Sequence, residues 1–309
     1  MPIQRFLLSL LLCAAIAARA SHEPQTLSIL GSDTMVEVLA EWSREFQESY
    51  PGISFEIQGT GSAAAPPALA ERSVNFGAMS RAMSAREVAD FQRRTGHLPF
   101  AIQVGGDDLA VIVNPSNPLR SISRRTLDGI FSESQRCGGV RHGHQWSTVL
   151  GESEDPTISR AGAWVIQRYS RTAVSGSYGF FKEKVLCGGD LMSQVMELPG
   201  FAAIVDAVAG SDGAIAYVGS GFVDERVRVL PVSITGSNSP GGLLPGEIGY
   251  PFSRPLFLYL SVAPGQQLSR TECAFLEHVV SPRGQLTLKR QGFQELGLSD
   301  SPGISSVCS

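Results

Sequence analysis

Leu27-Ser28-Ile29-Leu30-Gly31-Ser32-Asp33-Thr34-Met35 opens with a short apolar run, breaks into a polar turn, and leads into Val38, Leu39, Trp42 and Phe46 at three- and four-residue spacing. That is a strand, a turn and an amphipathic helix whose apolar stripe, Trp42 and Phe46 included, faces a core. The unit then recurs. Ile53–Ile57 alternates as a strand does, Gly59-Thr60-Gly61-Ser62 turns, and Ala63–Arg72 is a short helix with Pro66 and Pro67 in its first turn, where a missing N–H costs little. Asn75–Ala78 is a third strand leading to Met79-Ser80-Arg81, after which Ser84 and Glu87 form a capping box for a helix reaching Thr95. Apolar runs follow at 100–104 and 109–113. Such alternation predicts α/β layering around mainly parallel strands.

After Asn114-Pro115-Ser116-Asn117-Pro118 the rhythm restarts. Helices are expected over 123–130, 178–185 and 202–209, strands over 163–167 and 213–218, and irregular chain over 131–156. A strand over 227–234 precedes a Gly/Pro/Ser loop at 236–245. The last part reads as a strand over 256–262 and helices over 269–280 and 282–291. Two similar lobes are therefore expected, with crossings near 109–114 and 227–234. One lobe takes 21–109 and 232–309, the other 110–231. No internal repeat or low-complexity segment stands out.

The chain has 309 residues, of which 43% are hydrophobic and 17% charged, with mean hydropathy +0.05. That composition excludes a disordered chain, and no apolar run beyond residue 20 reaches the ~18 residues that a bilayer requires. Arg5, the apolar stretch 6–18 and Ala18-Arg19-Ala20 form a secretory signal peptide over 1–20, with cleavage expected before Ser21. The competing possibility, lipid anchoring at Cys13, meets an unfavourably bulky Leu12. Removing Arg5 and Arg19 with that segment leaves 23 basic against 29 acidic residues, a net charge of −6. Such a balance leaves no footprint for nucleic acid and no field that gathers anions. Cys137, Cys187, Cys273 and Cys308 remain, an even number in an oxidising compartment. Three connectivities are possible; Cys137 with Cys187 and Cys273 with Cys308 are favoured because each pair closes a loop within one lobe. His142-Gly143-His144 sits in a Gly-rich loop without a Cys-x-x-Cys partner and reads as solvated chain, not a metal site.

Chemistry gathers at the turns. Ser32 and Thr34, Ser62, Ser80, and Ser175-Gly176-Ser177 are each expected at the start of a helix, where orphan N–H groups and the helix dipole stabilise an anion. Any one of them alone is an ordinary N-cap. Four together, with Arg171 four residues ahead of Ser175 as a two-pronged cationic donor, can surround a tetrahedral oxyanion.

These residues resemble a known family. Gly31-Ser32-Asp33-Thr34-Met35, Gly61-Ser62, Gly77-Ala78-Met79-Ser80-Arg81, Leu109-Ala110-Val111 with Asn114–Pro118, Ile130-Phe131, and Arg171 with Ser175-Gly176-Ser177-Tyr178-Gly179 are similar, in order across 27–262, to the phosphate-binding receptors of high-affinity phosphate ABC transporters. The resemblance implies a type II periplasmic binding protein, two α/β lobes joined by a two-crossover hinge and closing on one phosphate. It implies a monomeric periplasmic receptor without a cofactor that delivers its ligand to an inner-membrane permease. It also implies contacts from Ser32, Thr34, Met35, Ser62, Ser80, Arg171, Ser175, Gly176 and Ser177, with Asp107 as the carboxylate acceptor and Asp108 as its near double. Cys137-Gly138-Gly139 and Cys187-Gly188-Gly189-Asp190 resemble a cysteine pair in one branch of the family. Ser177 stands where the family commonly has Thr, and Ala63–Ala65 replaces a more polar stretch.

Other classes fit less well. Ser175-Gly176-Ser177-Tyr178-Gly179 lacks the first glycine of a nucleophile elbow, and His278 is expected on a helix at the surface, so a phosphatase or other hydrolase is disfavoured. Gly59–Ala64 formally matches a dinucleotide fingerprint but lacks the acid that holds the ribose. A binding protein for sulfate, molybdate or phosphonate remains the alternative, as does a role of the same fold in signalling or adhesion. Asp107 speaks against sulfate and molybdate. A carboxylate accepts the proton that phosphate retains near neutral pH, and it repels an anion that has none.

Overall fold

The computed structural model describes residues 25–234, 242–297 and 303–308. The signal segment 1–20, Cys13 and residues 235–241, which include most of the expected loop, lie outside them. Among the described residues, β1 (Gln25–Gly31), α1 (Val36–Ser49), β2 (Ile53–Gly59), α2 (Ala65–Ala70), β3 (Phe76–Met79) and α3 (Ala85–Thr95) build the first strand-helix series. β4 (Phe100–Val113) leads to β5 (Ile122–Ser123), α4 (Arg124–Phe131), α5 (Ser147–Leu150), α6 (Pro156–Gly162), β6 (Gln167–Arg171), α7 (Gly176–Lys184), β7 (Met196–Leu198), α8 (Phe201–Ala209) and β8 (Ala214–Gly219). β9 (Arg228–Leu230), β10 (Val232–Ser233), β11 (Ser253–Leu260), α9 (Arg270–Val280) and α10 (Pro282–Arg290) complete the chain.

Local chemistry explains the clearest boundaries. Ser84 and Glu87 do form a capping box at the start of α3, and Gly96 closes its end in the left-handed conformation. Ser269 and Glu272 repeat that box at α9. β1 lies parallel to β2 and β3, and β6 parallel to β7 and β8. The two parallel groups are joined through antiparallel strands, in the order β2-β1-β3-β11-β4-β8-β6-β7, with β9 also beside β4. The expected mostly parallel sheets are present, flanked by helices.

β4 is the element that makes two lobes one molecule. Its first part pairs with β11 as far as Asp107 opposite Arg254 and Asp108 opposite Ser253. From Leu109 to Val113 it pairs with β8 instead. The apolar runs at 100–104 and 109–113 are thus one continuous strand, with the polar Asp107 and Asp108 where it passes between two cores. The first core gathers Leu27, Val38, Trp42, Phe46, Phe76, Ile102, Leu258 and Phe275. The second gathers Val111, Ile130, Phe131, Trp146, Phe181, Ile204, Tyr217 and Leu230.

The second crossing departs from the sequence expectation. Residues 227–234 do not return to the first lobe: β9 pairs with β4 opposite Val111–Val113, and β10 pairs with β5. Val232, Tyr250 and Phe252 belong to the second core. The chain re-enters the first lobe only at β11. Alternating apolar residues announce a strand, but only long-range pairing decides which sheet takes it. Smaller departures concern the second lobe, where the strand expected over 163–167 begins at Gln167, α5 arises within the chain expected to be irregular, and β7 arises where no element was expected.

Both expected disulfides are present. Cys137 and Cys187 bond with their Cα atoms 5.3 Å apart, closing the loop between α4 and the end of α7. Cys273 bonds Cys308 across 5.7 Å, tying the C-terminal segment to α9. Replacing both cysteines of either pair by serine is expected to cost about 2–4 kcal/mol, mainly by releasing the unfolded chain. A lower urea midpoint for each double variant, with wild-type protein in reductant lower than either because it loses both bridges, checks it.

Candidate anion-binding site

Strand ends and helix starts from both lobes meet at one seam. Ser32 follows β1, Ser62 opens a 3-10 turn, and Ser80 follows β3; from the second lobe come Arg171, the last residue of β6, and Ser175–Ser177 at the start of α7. Ser32, Thr34, Ser62, Ser80, Asp107, Arg171, Ser175 and Ser177 are all buried. The Thr34 and Ser177 hydroxyl oxygens are 3.4 Å apart, and those of Ser62 and Ser80 3.5 Å apart. Each side of the seam therefore presents hydroxyls to the other.

Two expected placements need correction. Ser80 does not open a helix: α3 starts five residues later under Ser84, and the Ser80 N–H donates to Ser62 Oγ at 3.1 Å. Met35 points into the first core, and its N–H donates to the Ser32 carbonyl at 3.2 Å. Ser175 is an ordinary N-cap, accepting from the Ser177 N–H at 3.2 Å. Ser32 and Ser62 make no side-chain cap. Ser32 Oγ is buried without a partner.

Two arginines and three carboxylates accompany the hydroxyls. Arg171 donates through Nη2 to Asp33 of the first lobe and to the Pro199 carbonyl at 2.7 Å, and its guanidinium lies 4.9 Å from the centre of the Phe201 ring. Burial, helped by repulsion from Arg254, pulls its pKa down to about 10, so the cation is held in a site that would rather be neutral or receive an anion. Asp107 Oδ2 accepts from Arg254 Nε at 3.0 Å and Nη2 at 2.6 Å, and both side chains are fully buried. Burial pushes the Asp107 carboxyl upward against the opposing pull of Arg254. Asp107 Oδ1 and Arg171 Nε are buried without partners. Asp108 diverges from its neighbour, as alternation along a strand requires. Its Oδ2 accepts from the Gly246 N–H at 2.6 Å, which separates the two candidate acceptors.

The seam is shut. Ala63 N–H of the first lobe donates to Val174 O of the second at 3.3 Å. Gly61 has φ +94°, and a Cβ there would stand 2.4 Å from Val174 O. A Cβ on Gly176 would stand 2.3 Å from Ser62 Oγ and 2.4 Å from Ser80 Oγ. A groove of about 300 Å³ lined by Thr34, Glu37, Ala202, Gly221, Phe222, Arg290 and Phe293 opens beside Thr34, with residues of both lobes in its walls. Chemically, the seam offers hydroxyl and guanidinium donors to an oxyanion, and the unpartnered carboxylate oxygens Asp107 Oδ1 and Asp33 Oδ1 to a proton on that anion.

The whole chain has relatives of the same construction. Residues 18–283 match the model of the PBP superfamily domain. The chain belongs to the PBP superfamily. Within it, the chain is 34% identical over 284 residues to the phosphate-binding protein PstS of Pseudomonas aeruginosa, covering 89% of this chain and 84% of that one. It is 24% identical over 249 residues to the protein SphX of Synechococcus elongatus, covering 78% and 70%. Its fold matches a putative phosphate ABC transporter substrate-binding protein of Clostridium perfringens, solved with bound phosphate, with TM-score 0.70 and 20% identity over 88% of this chain and 100% of that one. An ABC-type phosphate transport receptor of Vibrio cholerae matches with TM-score 0.67 and 18% identity over the same shares.

Sequence reasoning about this PBP-superfamily chain missed Arg254 and Asp33 as partners of the seam. Asp33 lies inside the quoted turn, so position was its signal; Arg254 is a lone cation in the apolar run Pro251–Leu260, an anomaly worth pursuing in any buried strand. His278, expected at the surface, is largely buried, 3.5 Å from Glu45. His142 Nδ1 contacts the Thr148 carbonyl at 2.9 Å, and no cluster of metal-binding side chains occurs among the described residues. Closure sets a steric test. Gly176→Val is expected to keep both lobes folded but hold them apart, which small-angle scattering reads as a larger radius of gyration than wild type.

Proposed function

We propose that the protein captures inorganic phosphate between its two lobes and passes it to an ABC transporter permease. What supports this reading is that Ser32 Oγ, Arg171 Nε and Asp107 Oδ1 are buried without partners in the same seam that holds the buried hydroxyls of Thr34, Ser62, Ser80 and Ser177. Buried polar atoms without partners cost stability unless a ligand completes them. Donors alone would suit any oxyanion; the carboxylate oxygen among them suits one that still carries a proton. Family membership and the phosphate-binding relatives support the same ligand. Donors worth about 1 kcal/mol net each offset the cost of association and of burying the anion's charge.

The ligand set in this reading is Ser32, Thr34, Ser62, Ser80, Arg171, Ser175, Gly176 and Ser177 as donors, with Asp107 as acceptor; Met35 contributes by fixing the turn. The working lobes run through β4 and β11, the second extending to residue 252 because Tyr250 and Phe252 lie in its core. The chain acts as a monomeric receptor in the periplasm after loss of residues 1–20. Hydrolysis finds no support: the side-chain neighbours of Ser177 Oγ are Arg254 Nη1 at 2.8 Å and the Thr34 hydroxyl at 3.4 Å, neither of which can act as the base that a serine nucleophile needs.

Arg171→Ala is expected to weaken phosphate binding at least about a hundredfold, since it strands the anion without its charged partner. Calorimetry giving an unchanged affinity would sink the assignment. Asp107→Asn should instead spare much of the binding while lowering the preference for phosphate over sulfate, by up to about 3–5 kcal/mol. Acidification adds a signed prediction. Because burial raises the Asp107 pKa, the carboxyl becomes neutral at a higher pH than an ordinary aspartate, and a neutral carboxyl can donate to sulfate. Preference for phosphate, measured by competition across pH, should therefore fall on acidification and do so before exposed carboxylates titrate.

A further inference from the structure

The Arg254 side chain is fully buried, and its three hydrogen bonds reach two different parts of the seam. Nε and Nη2 both donate to the same Asp107 oxygen, Oδ2, while Nη1 donates to Ser177 Oγ at 2.8 Å. Asp107 Oδ1 is left without a partner, and the Thr34 hydroxyl is the nearest side-chain neighbour of the Ser177 hydroxyl on the other side. We propose, building on the phosphate reading above, that Arg254 is the positioning residue for anion discrimination: it fixes Asp107 so that Oδ1 is the oxygen left to accept from the ligand, and it occupies an acceptor position of Ser177 so that the hydroxyl proton points away from the guanidinium.

The chemistry follows from donor counting. A guanidinium has five N–H groups and no acceptor, so a hydroxyl that takes one of them must aim its own proton elsewhere. An aspartate whose Oδ2 holds two guanidinium bonds has its carboxylate plane set, with the second oxygen directed by geometry and not by the ligand. The pair also keeps Asp107 charged. Removed from water without a cation, a carboxyl takes up a proton and becomes a donor, which abolishes the rejection of a fully ionised anion. Arg254 sits directly opposite Asp107 in the β4–β11 register, so the ladder itself sets the contact. Phe180 of α7 flanks the guanidinium at 5.8 Å. The other charged or titratable groups facing this pair are Asp108 on the same strand, Tyr250 in the segment before β11, and Arg171 at the end of β6. Of these, the Asp108 charge favours a neutral Asp107 while its backbone N–H opposes that, and Arg254 is the cation that holds the carboxylate ionised.

The test compares phosphate and sulfate affinities by calorimetry for wild type, Arg254→Met, Arg254→Lys, Asp107→Asn and the Asp107→Asn/Arg254→Met double variant, from neutral to mildly alkaline pH. Arg254→Met is expected to lower the phosphate-to-sulfate affinity ratio about tenfold or more at neutral pH. The ratio should recover on raising pH as the unpaired Asp107 ionises, a change that a merely loosened fold would not produce. Arg254→Lys keeps a cation but cannot hold both oxygens in one fork, so an intermediate ratio is expected. The double variant should be no less selective than Asp107→Asn alone. A wild-type ratio in folded Arg254→Met or in Arg254→Lys overturns the proposal, as does a double variant less selective than Asp107→Asn. Should Arg254→Met fail to fold, Arg254→Lys and the double variant decide by the same readings. If Asp107→Asn itself leaves the ratio unchanged, the fault lies with the phosphate reading of Asp107 and not with Arg254.

Discussion

A carboxylate and a guanidinium face each other across two antiparallel strands with neither exposed to water, and the seam is organised around that pair. Burying Asp107 and Arg254 separately would be prohibitive; burying them together is tolerable because two hydrogen bonds converge on one oxygen. The register that brings them opposite each other also marks where β4 leaves β11 for β8. Strand pairing, lobe junction and site electrostatics thus share one pair of residues. Replacing the pair by apolar residues of similar size would leave a strand that still pairs but a seam without its acceptor.

Much of this was readable beforehand, and the reasons differ by element. The first lobe was legible because its units are local: β1, its turn and α1 follow from side-chain period, and α3 from a capping box four residues long. The disulfides were legible from parity and loop closure. Residues 227–252 were not, since the same alternation suits either sheet and only pairing with β4 and β5 assigns it. Ser80 falls outside the helix starts because the capping box gives that role to Ser84, and its N–H bond to Ser62 comes from residues 18 apart in the sequence. Arg254 was invisible for a deeper reason. Its meaning depends on a partner 147 residues away in the sequence, and no local pattern encodes that register.

The closeness of the lobes is a matter of missing atoms as much as of contacts. Gly61 and Gly176 meet opposing backbone and hydroxyls at distances a methyl group could not share. The site therefore relies on two residues that carry no side chain. A chain with formal net charge −4 can work in this way because its donors are enclosed, where the surrounding negative surface counts for less than the few dipoles and cations in contact.

β4 has a mechanical meaning beyond pairing. Motion of one lobe about the β4–β11 ladder displaces each atom in proportion to its distance from that axis. Asp107 and Arg254 lie on the axis with Ser177 Oγ only 2.8 Å from the guanidinium, whereas Arg171, at the end of β6, would lie on an arm that sweeps through space. An incoming anion would thus be interrogated by a stationary acceptor before the travelling donors arrive, so that rejection of the wrong anion precedes, and need not undo, the work of closing.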